Sequence, residues 1–198
     1  MNATPFYHLD GDPPSKRALL TAALKLFARD GVAGTNIRAI ASEAGYTNPS
    51  LFKFFDGKGA LALYLFERCY AECLSAMRAT LNKKCTFEEN MRATVRGLVA
   101  FVDSEPEVFF FVHENLRHYL PVASEETRKH TILGEFRKLL VQGRREGTVN
   151  SDVAIEIQIA AVTGFLFQLA RLHYFGELER DLTSESDDIE TTIFKMLT

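Results

Sequence analysis

Asn48, Ser50 and Lys53 lie close together in the stretch TNIRAIASEAGYTNPSLFKFFDGKGAL, residues 35–61. An amide, a hydroxyl and an ammonium suit contact with base edges or nearby phosphates. Phosphate contacts position a protein and base contacts specify sequence, and Lys53 is suited to either. Arg38, in the helical stretch before them, supports a phosphate contact. Lys58 opens the next helix, where free backbone N–H groups attract a phosphate and the ammonium adds charge. The alternative, that these are only solvated polar positions, has the pattern around them against it.

Those side chains need a frame. Ile37, Ile40, Ala41 and Ala44 repeat at helical spacing, and Gly45 supplies the permissive backbone of a helix end. Asn48 is placed to cap a second, short helix with Pro49 at its first position. Leu51, Phe52 and Phe55 give that helix an apolar side. Two short helices around a tight turn present a recognition helix to the major groove. Upstream, Ser15 to Arg29 forms a first helix, entered from Pro13-Pro14 with Ser15 as cap and stopped by Gly31. Its buried face is Leu19, Leu20, Ala23, Leu26 and Phe27, and the turn at 31–34 leads to Thr35 or Asn36 as the next cap.

With these flanks the region resembles the tetracycline-repressor (TetR) family of bacterial transcription regulators. The resemblance is carried by LLTAALKLFARDG (Leu19 to Gly31), then Thr35, Ile37, Ile40-Ala41, Ala44-Gly45, Thr47, Leu51, Phe55, Lys58 and Leu61. It covers roughly residues 15–74, and it implies that Thr35 and Thr47, counted with the DNA-binding residues, hold the backbone at the two helix starts. Three positions depart from the family pattern. Phe52 and Phe54 stand where Tyr or His is usual, and neither phenyl ring offers a hydrogen bond to phosphate. Gly59 replaces an acidic residue, and Asn48-Pro49 replaces a short polar-small pair.

The rest of the chain also reads as helix. A long pattern from Lys58 to about Leu81 connects the head to the remaining helices, and Asn82-Lys-Lys-Cys-Thr86 breaks it. Thr86 with Glu89 is a capping box for a helix to Val102. Further helices are expected from Glu105-Pro106-Glu107 to Leu120, from Ser124 to Glu146, from Ser151 or Asp152 to about Phe175, and from Asp187 to Leu197. The expected architecture is all-α: a flexible leader over 1–14, a helix-turn-helix head over 15–57, a connecting helix over 58–84, and an effector-binding and dimerisation domain over 85–198. Net charge is −3 overall, but residues 1–84 carry a net +4 and residues 85–198 a net −7, a basic head on an acidic body.

The resemblance implies a repressor released from a palindromic operator on double-stranded DNA by a small-molecule effector, working as a homodimer in the cytoplasm. Candidates to line the effector pocket are Phe101, Phe109, Phe110, His113, Arg117, Phe136, Phe167, Arg171 and Tyr174. They suit an apolar or aromatic ligand, and the two arginines would suit an anionic one. Phe109-Phe110-Phe111 cannot all face one core, because neighbours on a helix differ by about 100°. The dimer face is expected on Ile155, Ile159, Val162 and Leu166 of one helix and Ile189, Ile193 and Leu197 of the last. An alternative is a DNA-binding regulator whose body takes a protein partner or no ligand.

An enzyme is not expected. His113 and His118 do not share a helical face at metal-ligand spacing, and HExxH, CxxC, nucleophile-elbow and phosphate-cradling glycine motifs are absent. His173 near Asp181 could be imagined as a base, though a solvated or core histidine is the better reading. No cofactor or metal is expected, and Cys69, Cys73 and Cys85 read as structural thiols in a reducing compartment. Residues 1–14 lack the features of a signal peptide. The most apolar stretch, Ile157 to Ala170, is too short to span a membrane, which takes roughly 18–20 residues.

Overall fold

The computed structural model describes residues 5–198, and every regular element among the described residues is helical. The chain forms two compact units. The first runs to Glu72 and takes in Glu107–Arg128; the second comprises Cys73–Pro106 and Lys129–Thr198. The expected boundaries at 57 and 84 do not coincide with these units.

In the first unit, helix α1 (Pro14–Gly34) starts with proline at its first position and has no side-chain cap, so Ser15 lies inside the helix rather than capping it. Gly31, at φ 72° and ψ 159°, interrupts it, a conformation open to glycine because it has no Cβ. Helix α2 (Ile37–Glu43) is capped by Asn36, whose side chain accepts the Ala39 N–H at 2.9 Å. Gly45, at φ 74°, makes the left-handed turn beyond it. Helix α3 (Asn48–Phe52) is a single short helix with Thr47, not Asn48, at the capping position. Helix α4 (Lys58–Thr80) buries Leu61, Leu65 and Phe66.

Helix α5 (Phe87–Ser104) belongs to the second unit, and α6 (Pro106–Tyr119) and α7 (Glu125–Lys129) come after it, with a 3-10 turn at Leu120–Val122 between them. Within the first unit Phe111 stacks on Phe27 with ring centroids 5.8 Å apart, and Tyr119 meets Phe66 at 5.7 Å. Residues 1–4 of the expected leader lie outside the described residues. The remainder is tied to the head rather than free. Tyr7 is buried, the His8 imidazole bonds to the Arg17 carbonyl and the Thr21 hydroxyl, and Arg68 donates to the Phe6 carbonyl at 2.7 Å.

In the second unit the Thr86–Glu89 capping box is present and starts α5. The helix expected from 124 to 146 is broken. Thr131 has extended backbone and its hydroxyl accepts the Gly134 N–H, which starts a new helix, α8 (Ile132–Arg145). Helix α9 (Ile155–Tyr174), a 3-10 turn (Leu182–Glu185) and α10 (Ser186–Leu197) complete the unit. Glu190 of α10 is buried and held by Arg92 at 2.7 Å and Arg96 at 2.5 Å, both from α5. Burial alone would raise its pKa, but the Arg96 and Arg92 guanidiniums outweigh that and lower it.

Candidate nucleic-acid interface

The head holds a small polar surface on a buried apolar base. Ile40 and Ala41 of α2, Leu51 of α3 and Phe55 beyond it are buried. Burial of these four side chains is what holds α3, since a five-residue helix has no stability of its own. Arg38, Thr47 and Lys53 are exposed, while Asn48 and Ser50 are half-buried. The Thr47 and Ser50 hydroxyls lie 3.3 Å apart, so they hydrogen-bond each other until a stronger partner arrives. These five residues lie on or beside the two short helices, with polar groups available to a duplex.

Two of the expected contacts have other work. Thr35 is only 3% exposed, and its hydroxyl donates to the carbonyls of Gly31 at 2.9 Å and Leu26 at 3.3 Å. It closes the end of α1 and is turned away from solvent. The Lys58 ammonium donates to the Val32 and Thr35 carbonyls, both at 2.6 Å. These bonds tie the start of α4 to the turn before α2 and direct the charge inward. Both side chains are engaged by backbone carbonyls of residues 26–35.

The sequence pattern misplaced one side chain. Phe52, assigned above to the apolar side of α3, is 55% exposed, and Tyr46 is 39% exposed. Leu51 and Phe55, four residues apart, take the buried positions. The signal was available in that spacing: a residue next to Leu51 on a helix points about 100° away from it.

In the first unit, Phe111 is the buried member of the phenylalanine run, Phe109, Phe110 and His113 are half-buried, and Arg117 is exposed. Burial pushes the His113 pKa down to about 4. In the second unit Phe136 is buried core, which corrects its assignment to a pocket wall. Phe101, Phe167, Arg171 and Tyr174 are half-buried, with the Arg171 guanidinium 5.2 Å from the Phe175 ring. A cleft of about 480 Å³ in this unit is lined by apolar residues that include Phe165, Leu169 and Ile189 and by charged ones that include Glu177, Glu179, Asp188 and Arg180. None of the expected pocket residues lines it.

The dimer face also needs correcting. Ile159, Val162, Leu166, Ile189, Ile193 and Leu197 are all buried within a single chain, and Ile155 is half-buried. They are core, because α9 packs on α8 and α10 through that side. The outward side of α9 carries Ile157, 62% exposed, with Ala160 and Gly164 exposed and Ala161 and Phe165 half-buried. By length and composition α9 is a candidate to cross a membrane, with a mean hydropathy of 1.3. A core helix of a soluble protein has the same composition.

The remaining polar cluster of the second unit joins Asp103, His173 and Asp181, whose ligand atoms lie within 4.8 Å of one another. His173 Nε2 stands 3.5 Å from Asp103 Oδ1. The Asp103 carboxylate already accepts the N–H groups of Leu182 and Thr183 and the Thr183 hydroxyl, capping the 3-10 turn. Its structural role accounts for the arrangement. Cys69 and Cys73 are buried and Cys85 is half-buried.

Residues 19–65 match the family model described as bacterial regulatory proteins, tetR family. The HTH-type transcriptional repressor KstR2 of Rhodococcus jostii (strain RHA1) is 25% identical over 162 residues, covering 79% of this chain and 78% of the relative. Among solved structures, the ketosteroid transcriptional regulator KstR2 of Mycobacterium tuberculosis superposes with a TM-score of 0.78 at 16% identity, covering 94% of this chain and 96% of that one. The regulator FadR of Bacillus subtilis, solved in complex with stearoyl-CoA, gives 0.70 at 14% identity over 92% and 100% of the two chains. At these identities the structural likeness concerns the fold.

Proposed function

We propose that this chain is a DNA-binding transcriptional regulator of the tetR family, a homodimeric repressor whose heads leave a palindromic operator when an apolar-bodied effector binds. The observation that carries the reading is the head. Arg38, Thr47, Asn48, Ser50 and Lys53 are gathered on two short helices whose other sides are buried, within the segment that matches the family. Such a surface supplies both charge for phosphates and hydrogen-bonding groups for base edges.

Two heads are required, since one module this small has limited grip and a two-fold dimer doubles it. The outward side of α9, with Ile157, Ala160, Ala161, Gly164 and Phe165, is the surface assigned to the second copy. Small residues there allow close helix approach, and burying Ile157 and Phe165 supplies apolar area. The paired heads would then meet successive major grooves, roughly 34–36 Å apart. The effector acts by favouring a state in which that spacing no longer fits.

The effector class is supported by the relatives, one named for ketosteroids and one solved with stearoyl-CoA. It is also supported by the half-buried Phe167, Arg171 and Tyr174, about one turn apart on α9, and by the half-buried Phe101 of the same unit. The site of action is the cytoplasm, where the operator is. Catalysis has no part in this role.

The test is titration of the purified chain against duplex DNA from its own promoter region at low and moderate salt, with mass measured by light scattering. A dimer that binds with a steep salt dependence, and is released by steroid or long-chain acyl compounds, is the expected result. A monomer indifferent to duplex DNA at low salt overturns the proposal.

A further inference from the structure

We propose that Phe52 reads thymine: its ring packs on the 5-methyl group of one thymine per half-site, making that methyl a determinant of operator choice. The inference rests on the DNA-binding role proposed above and specifies the chemistry of one contact within it. Phe52 closes α3, and among the described residues it is the most exposed phenylalanine. The head does not need it for packing, because Leu51 and Phe55 already fill the buried positions beside it. A large phenyl ring left in water on a DNA-facing element gains from any partner that removes it from water.

The partner's chemistry is set by what the ring lacks. A phenyl group has no donor or acceptor, so it cannot bond a phosphate oxygen or a polar base edge. Pro49, one turn earlier and also exposed, has no N–H to offer either. This edge of α3 therefore presents an apolar strip of Pro49 and Phe52 beside the polar groups of Lys53 and Ser50. Of the groups displayed in the major groove, the thymine 5-methyl is the apolar one. Guanine and cytosine at the same step would set polar edges against the ring and leave them unpaired.

The experiment selects a preferred duplex from randomised DNA with the full-length protein, then replaces each thymine in turn by deoxyuridine, which removes the methyl and keeps every hydrogen-bonding group. Binding is read by fluorescence anisotropy at fixed salt. At one position per half-site the loss of the methyl is expected to weaken binding about fourfold, the scale of one buried methyl group. Phe52→Ala should bind the parent duplex more weakly and treat thymine and uracil at that position alike, whereas Phe52→Leu should keep part of the discrimination. Both variants should melt and dimerise as the parent does, since the ring is outside the core.

Wild-type binding that is indifferent to uracil at every position overturns the inference while leaving the DNA-binding role standing. So does a Phe52→Ala protein that keeps the parental preference for thymine. Failure to select or bind any duplex overturns the regulator reading, and this contact with it.

Discussion

Helices α3 and α9 both turn one side outward, and the two sides differ in almost every physical respect. The α3 surface is a few residues long and mixes Ser50 and Lys53 with the ring of Phe52. The α9 surface runs along a helix of twenty residues and consists of Ile157, Ala160, Ala161, Gly164 and Phe165 before it reaches a polar group at Gln168. A charged, hydrated partner such as a duplex needs the first kind, because phosphates are met by cations and donors. A partner with the same apolar character needs the second. On the proposed reading, the contrast separates a surface for intermittent contact from one for permanent burial.

The base under α3 is its weakest part, and removing it gives the largest expected effect. Leu51→Ala leaves a cavity beneath a helix too short to hold itself and should cost about 2–5 kcal/mol. Operator binding should vanish while light scattering still reports a dimer. Loss of the dimer as well would mean that the two surfaces are not independent. On the other side of the comparison, Ile157→Glu places a charge on the most exposed large apolar residue of the α9 face. The dimer should weaken by about 100-fold, with operator affinity falling in step. A variant that dimerises normally would take the second copy off α9.

Acid should separate the two units more gently. His8 and His113 of the first unit have pKa values held down by burial. The unfolded chain takes up protons near pH 6.5 that the folded unit refuses, so the first unit loses stability as pH falls from there towards about 4. Glu135 and Glu190 of the second unit would be raised by burial, but their Arg and Lys partners hold them below the usual value of 4.5. Their contribution persists above that value and is lost only as pH falls through the lowered ones. Hydrogen exchange at pH 5 should therefore show faster opening of the first unit alone. Equal acceleration of both would contradict this.

Much of this architecture was legible from short-range signals. The Thr86–Glu89 capping box, the Gly45 turn and the α1 core face depend on residues three or four apart, and the structure has all three. The inner and outer sides of α9 were confused because a helix apolar nearly all round has no period that marks its inside. Val162 and Ile193 turned out to be core and Ile157 surface, a distinction set by what α8 and α10 cover. Thr131 was passed over because helical spacing continues on both sides of it. The candidate contacts divided in the same way. Arg38 and Lys53 are exposed, whereas Thr35 and Lys58 are engaged by backbone carbonyls that only the folded turn brings near.

That last distinction gives the smallest effects and the sharpest test within the head. Lys58→Ala removes two charge-assisted bonds to the Val32 and Thr35 carbonyls and should cost about 1–2 kcal/mol of stability, partial exposure reducing the full value. Its effect on DNA affinity should come from the looser turn alone, so the slope of log affinity against log salt stays as it was. Lys53→Ala should behave in the opposite way. Its side chain is exposed and supports no part of the fold, so the melting temperature should not move. If its ammonium meets a phosphate, the salt slope falls by about one per head. If it meets a base edge instead, the slope is nearly unchanged and the loss concentrates on particular sequences. A melting shift for Lys53→Ala, or a changed salt slope for Lys58→Ala, would exchange the two roles.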